Sequence, residues 1–175
     1  QSLEKIINVE EVYFNSDLIE YHDELIKWKW INNDNPSIAV FLYKSLLQSG
    51  NTELADKIID ISNKYNLNAK IIWITSFKSE NIENRIISLL DKEKIKAIIT
   101  TTSFSSVKYK HDDTKNNLWD TLNIPVYQLL ISSSSITEWN ESTVGLNPID
   151  LSIQVVLPEV DGRICTIPIA FKNLT

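Results

Sequence analysis

The chain holds 175 residues, 43% hydrophobic and 23% charged, enough for one buried core and too few for two full domains. Its 17 basic against 23 acidic residues give a formal charge of -6 with the basic residues scattered, which excludes the electrostatic footprint of a nucleic-acid or anionic-membrane binder. A single cysteine, Cys165, excludes an internal disulfide and a multi-cysteine metal site, and with no segment that reads as a secretory signal the expected compartment is the cytoplasm.

Residues 1–34 carry the aromatic pairs Tyr13/Phe14 and Trp28/Trp30 and are expected to form a helical or irregular extension packed on a domain spanning 35–175. The run Ile38–Tyr43 reads as a buried strand. A helix capped by Asn51 should follow, with Leu54, Ala55, Ile58, Ile59 and Ile61 inward. The next strand is Ala69–Ile74, followed by a helix over 79–90 with Ile82, Ile86, Ile87, Leu89 and Leu90 inward. Ala97–Thr100 is a third strand. A polar surface loop with His111, Asp112 and Asp113, then a short helix over 118–122, lead to a fourth strand over 125–131. Strands alternating with helices at this spacing predict an α/β fold, a flavodoxin-like parallel sheet with helices on both faces and the first strand central. No apolar run approaches the roughly 20 residues of a membrane span.

After the fourth strand, Ser135-Ile-Thr-Glu138 matches a capping box opening a helix through Trp139, which Gly145 should end. Asn147-Pro148 supplies an N-cap and a proline at the first helical position of a further helix, expected to run to about Val156 and to be stopped by Pro158. Asp161-Gly162 marks a turn and Arg163–Phe171 a last strand. The five tryptophans read mostly as packing anchors, and Cys165 as a core cysteine in that strand.

In open parallel sheets ligands bind beyond the carboxyl ends of the strands. Those ends are polar here: Lys44-Ser45, Thr75-Ser76, Thr100-Thr101-Thr102-Ser103 and Ser132-Ser133-Ser134-Ser135. They form either a crescent of donors facing a polar ligand or ordinary loop and cap residues. Only three glycines occur, and neither a G-x-G-x-x-G nor a G-x-x-x-x-G-K-[ST] loop can be written, which excludes nucleotide binding by a standard loop. His22 and His111 sit beside carboxylates, but adjacent residues rarely converge on one ion, so no metal site is assigned.

The stretch from Gly145 to Ile164 places Glu159, Asp161 and Arg163 in fixed order around a helix end and a glycine turn. Trp139, then Gly145-Leu146-x-Pro148, then Leu157-Pro-Glu-Val-Asp-Gly162 resembles the large subunit of the ATP-dependent cobaltochelatases and the related H subunit of magnesium chelatase. Lys44-Ser45, Thr100–Phe104 and Ile124–Leu129 carry the resemblance further, back to about Tyr21. Two departures stand out: Asp23 follows Tyr21-His22 where the family pattern has proline, and the chain is a small fraction of the long subunit. With Gln1 first and no methionine, it is expected to be a piece of a longer polypeptide, and the resemblance implies an N-terminal one. Asp161-Gly-Arg-Ile164 with Phe171-Lys172 is similar to the cobalt branch.

The resemblance implies a tetrapyrrole-binding subunit that inserts Co²⁺, as substrate, into hydrogenobyrinic acid a,c-diamide in cobalamin biosynthesis. Mg-ATP would be hydrolysed on two partner subunits of the AAA+ type. The remaining domains of the same chain would be further partners, with no cofactor bound tightly by this piece, which alone is expected to be inactive. Insertion removes ring N–H protons, a task for carboxylates. Glu159 is the first candidate, Asp161 the second, and Arg163 a clamp for a peripheral carboxylate. Lys44, Ser45, Thr102, Ser103, Ser133 and Ser134 are candidate substrate-binding residues. The same corner also reads as purely structural, its carboxylates holding backbone amides and Arg163. Two other functions stay open: a magnesium chelatase H piece, and a non-catalytic flavodoxin-like module that binds a ligand or partner.

Overall fold

The computed structural model describes residues 18–20, 34–75, 77, 80–92, 94–103, 108–109, 115–116 and 118–171. Its strands are β1 (Leu18–Glu20), β2 (Ser37–Tyr43), β3 (Asn68–Ile74), β4 (Ala97–Thr100), β5 (Lys108–Tyr109), β6 (Lys115–Asn116), β7 (Val126–Ser132) and β8 (Ile164–Phe171). Five of them form a parallel sheet in the order β3-β2-β4-β7-β8, with β1 antiparallel on the outer edge of β3. Numbered along the chain, the parallel strands read 2-1-3-4-5, the flavodoxin-like order expected from the sequence. The edge strand β1 replaces a helical or irregular segment at Leu18–Glu20. The rest of residues 1–33, with His22 and the Tyr13, Phe14, Trp28 and Trp30 clusters, lies outside the described residues.

The chain divides into two units, residues 1–98 and 99–175. In the first, β2 and β3 pair in register from Ser37↔Asn68 to Tyr43↔Ile74. Ala39, Val40, Phe41 and Leu42 of β2 and Ile71, Ile72, Trp73 and Ile74 of β3 are all 0% exposed, as near-continuous apolar runs in a parallel sheet should be. Phe77 meets Phe41 edge-on, with ring centroids 5.3 Å apart. Helix α1 (Lys44–Gln48) follows β2 directly, so Lys44 and Ser45 open a helix instead of a loop. Helix α2 (Glu53–Lys64) buries Ala55, Ile59 and Ser62. Ile61 is exposed, against expectation: at about 100° per residue it lies roughly a third of a turn from that buried line. Thr52, not Asn51, is the N-cap: its carbonyl accepts from Asp56 N at 3.1 Å, while the Asn51 amide closes α1 on Leu46 O at 2.8 Å. Helix α3 (Glu80–Lys92) buries Ile86, Leu89 and Leu90.

The second unit opens with the tail of β4. Between β4 and the short helix α4 (Leu118–Leu122), β5 and β6 pair antiparallel as a separate two-stranded sheet, and His111–Asp113 fall outside the described residues. Strand β7 alternates buried and half-buried residues instead of being continuously buried. Its buried face includes Gln128 and Ser132. Helix α5 (Ile136–Glu141) begins with the predicted capping box, both halves present, but ends at Ser142, short of Gly145. Asn147 caps α6 (Pro148–Leu151) by accepting from the Ile149 and Asp150 amides.

The run does not stop at Pro158. A π turn over Ser152–Val156 joins α6 to α7 (Leu157–Val160), which carries Pro158 inside it. A proline ring clashes with the carbonyl four residues back and removes one hydrogen bond, and the wider π turn just before it accommodates both losses. β8 is the outer strand, which is where Pro168 can sit without breaking a ladder on two sides, and the β7–β8 register shifts around Leu130. Trp139 of α5 packs on Phe171 of β8 at 5.6 Å between centroids. Trp73 and Trp119 are buried anchors.

Candidate functional site

The Leu157–Arg163 corner has a definite local cause. Arg163 N donates to Pro158 O at 3.1 Å and Gly162 N to Glu159 O at 2.9 Å, the two reversed bonds of a Schellman helix end. The residue past the helix cap must be left-handed, and Gly162 has φ 75°. No atom lies within 4 Å of where a Cβ would stand, so backbone conformation and not space selects glycine here. The reversal brings residues 161 and 163 to the same side of the chain. Asp161 Oδ2 then accepts from Arg163 Nη2 at 2.8 Å, with both side chains fully buried.

Arg163 Nη1 donates to Thr102 O at 2.6 Å and to Gln128 Oε1 at 2.8 Å, and the guanidinium lies 5.3 Å from the centre of the Trp119 ring. A buried charge is tolerable only when paired and hydrogen-bonded, and this one is. Next to the pair is a cavity of about 470 Å³ lined by Trp119, Asp120, Asn123, Pro125, Asp161 and Gly162. It lies at the amino ends of β7 and β8, opposite the carboxyl-end crevice that the fold class suggests.

At the carboxyl end of β7 a second polar assembly forms around Asp150. Its Oδ2 accepts from Ser133 N (2.7 Å), Ser133 Oγ (2.9 Å) and Asn147 Nδ2 (2.9 Å), while Oδ1 accepts from Gln154 Nε2 (3.1 Å). Gln154, on the π turn, also substitutes for a strand neighbour: Ile131 N donates to its Oε1 at 2.7 Å and its Nε2 donates to Ile131 O at 2.6 Å. The β7–β8 register breaks between Leu130 and Ile131, and the glutamine amide satisfies the peptide groups there.

The structure thus brings Asp161, Arg163 and the carbonyl of Thr102 together. Glu159 is exposed on α7 and is not part of that cluster. Thr102 is buried, its hydroxyl 2.7 Å from that of Thr100, and Ser103 is buried as well. The Ser133 hydroxyl is engaged twice, donating to Asp150 and accepting from Asn147 at 2.8 Å. Ser134 N donates to Ser132 Oγ at 3.2 Å. Lys44 and Ser45 belong to the first unit.

Cys165 is half-buried rather than core. Burial, then the Glu159 carboxylate, push its thiol above the ordinary range, and Arg163 opposes them. Asp150, Gln154, Gln128 and Trp119 are the participants sequence reading missed. A signal for the first two was present, since two polar residues four apart on a helix share a face.

Among known proteins, the chain is 28% identical to the aerobic cobaltochelatase subunit CobN of Sinorhizobium sp over 78% of its length, and 30% identical to that of Pseudomonas aeruginosa over 79%. A Methanocaldococcus jannaschii protein described as uncharacterized is 30% identical over 93% of the chain. The chain spans 11% of the length of each of the first two relatives and 14% of the third. Among solved structures, the catalytic subunit of cobaltochelatase from Mycobacterium tuberculosis superposes with a TM-score of 0.72 at 22% identity, over 92% of this chain and 14% of that one, which establishes a shared fold. The CobN/Magnesium Chelatase family model matches residues 4–175, and the chain belongs to that family.

Proposed function

We propose that the chain is part of the tetrapyrrole-binding large subunit of an ATP-dependent cobaltochelatase, a cytoplasmic metal chelatase forming nitrogen–metal bonds. It would insert Co²⁺ into hydrogenobyrinic acid a,c-diamide with two AAA+ type partner subunits hydrolysing Mg-ATP. The observation that carries the reading is the Leu157–Arg163 corner: the family motif is built as one rigid unit beside a cavity in the size range of ligand sites. A tetrapyrrole is larger than such a cavity, so this corner would receive one edge of the ring. The remaining contacts would come from further domains of the same chain, and the 175-residue piece alone would insert no metal and bind no nucleotide tightly.

Inserting Co²⁺ into a corrin displaces the single inner N–H proton of the ring, and that proton needs an acceptor that returns it to water. Glu159 is a solvent-exposed carboxylate side chain outside the buried pair, and takes that role. Asp161 and Arg163 are positioning residues, because their charges are spent on each other and on Gln128 and Thr102. Lys44, Ser45, Ser103, Ser133 and Ser134 are left with lesser, orienting roles. The retained Arg163 favours the cobalt over the magnesium branch.

The test is Glu159→Gln in the complete subunit with both partner subunits present. Insertion should slow about a hundredfold or more while tetrapyrrole binding, followed by tryptophan quenching, survives. A normal insertion rate would remove Glu159 from the chemistry.

A further inference from the structure

The helical run 148–160 has its polarity reversed. The side chains turned inward are Asp150, Gln154 and Pro158, four residues apart, with Asp150 5% and Gln154 9% exposed. Turned outward are Ile149 at 69%, Ile153 at 41%, Val156 at 50% and Val160 at 64%, flanked by Leu151 and Leu157. The outward four are spaced four, three and four residues apart and, across the π turn over 152–156, form a broad apolar face that a second helix could cover.

Helix stability does not explain the choice, since β-branched residues are mediocre helix formers and a solvated face is ordinarily Glu, Lys or Gln. Within 148–160 the only charged residues are Asp150, which is buried, and Glu159. With no Lys or Arg within 148–160, a surface helix on an anionic membrane is disfavoured. A formal charge of -6 on each copy works against self-association. The relatives carry this region as 11 to 14% of much longer chains, which have the polypeptide to cover it.

We propose that Ile149, Ile153, Val156 and Val160 are the docking seam for an apolar-faced helix of the same large subunit, lying outside residues 1–175. This rests on the large-subunit reading but not on its chemistry, and its test involves no metal insertion.

Hydrogen exchange is measured at amides 149–160 in the 175-residue chain and in the complete subunit, each also carrying Ile153→Asp with Val160→Asp. In the short chain the double variant should leave the melting temperature unchanged and reduce binding of an apolar fluorescent dye several-fold. In the complete subunit exchange across the segment should be at least tenfold slower than in the short chain, and the double variant should abolish that difference. Equal exchange in the two proteins would overturn the proposal. So would a concentration-dependent dimer of the short chain that the variant dissolves, retention of the short chain on phosphatidylglycerol vesicles, or a reading frame that stops at Thr175.

Discussion

The two units are held by different forces. In the first, β2 and β3 bury the apolar residues 38–42 and 71–74, with Phe41, Leu42, Ile72 and Trp73 shielded completely, and Asn68 and Lys70 are the buried polar residues of β3. In the second, Thr100, Gln128, Ser132, Asp150, Gln154, Asp161 and Arg163 are all buried, and apolar side chains along 149–160 face out. Apolar packing is non-directional and tolerates replacement by apolar side chains of similar volume. A buried polar network fixes geometry and fails when one member is lost. The half that holds the Leu157–Arg163 corner therefore leans more on hydrogen bonds of fixed geometry than the half built on β2 and β3.

The largest expected effects set the two halves directly against each other. Phe41→Ala should cost about 3–5 kcal/mol in urea unfolding as a lost large side chain plus its cavity. Asp161→Ala should cost a similar amount, about 3–5 kcal/mol, because it strands the Arg163 guanidinium in the interior. The halves separate on rescue: a second, apolar change at Arg163 should recover most of the Asp161 loss, whereas no charge change elsewhere recovers Phe41→Ala. Next comes Gln154→Leu, which keeps volume but leaves the Ile131 N–H and C=O without the side-chain amide. About 1–3 kcal/mol should be lost, with faster exchange of the Ile131 amide.

Smaller again is Ser135→Ala, worth about 1 kcal/mol as an N-cap loss. The Ser135 backbone amide and then its hydroxyl hold Glu138 below its ordinary 4.5. A depressed carboxyl contributes stability at pH above 4.5 that disappears as pH falls through the lowered value. That acid-limb loss should shrink only in part in the variant, which removes the hydroxyl and keeps the Ser135 amide. Smallest is the thiol: Glu159→Gln removes a negative charge that raises the Cys165 pKa, so the pH profile of thiol modification should move to lower pH.

The sequence-to-structure record follows the same division. In the first unit the apolar runs 38–43 and 69–74 were sufficient to locate β2 and β3 within a residue or two, and strand-helix alternation carried the strand order. Periodicity reports burial only where burial is apolar. In the second unit burial along 148–160 is polar, with the apolar stripe outside and Asp150 and Gln154 inside. The capping box at Ser135, the Asn147 cap and the Gly162 turn were legible because each is a local hydrogen-bond pattern written in adjacent residues.

Pro158 misled, since its effect depends on the π turn before it. The contacts of Arg163 to Gln128 and Thr102 join residues 35 and 61 positions apart, and no local pattern encodes them. Glu159, Asp161 and Arg163 stood out as an ordered triplet. That two of them bind each other and the third does not is a property of the Schellman reversal, visible only once the backbone is in place.

The Leu157–Arg163 corner divides its labour: Asp161 and Arg163 hold it together while Glu159 faces solvent. A double-mutant cycle on Asp161→Asn and Arg163→Met, read by urea unfolding of the 175-residue chain, tests this division most directly. The account predicts that each single change costs several kcal/mol by leaving its partner unmatched, and that the double variant loses far less than the sum of the two. Additive losses within about 0.5 kcal/mol would contradict it, since residues that do not depend on each other behave that way.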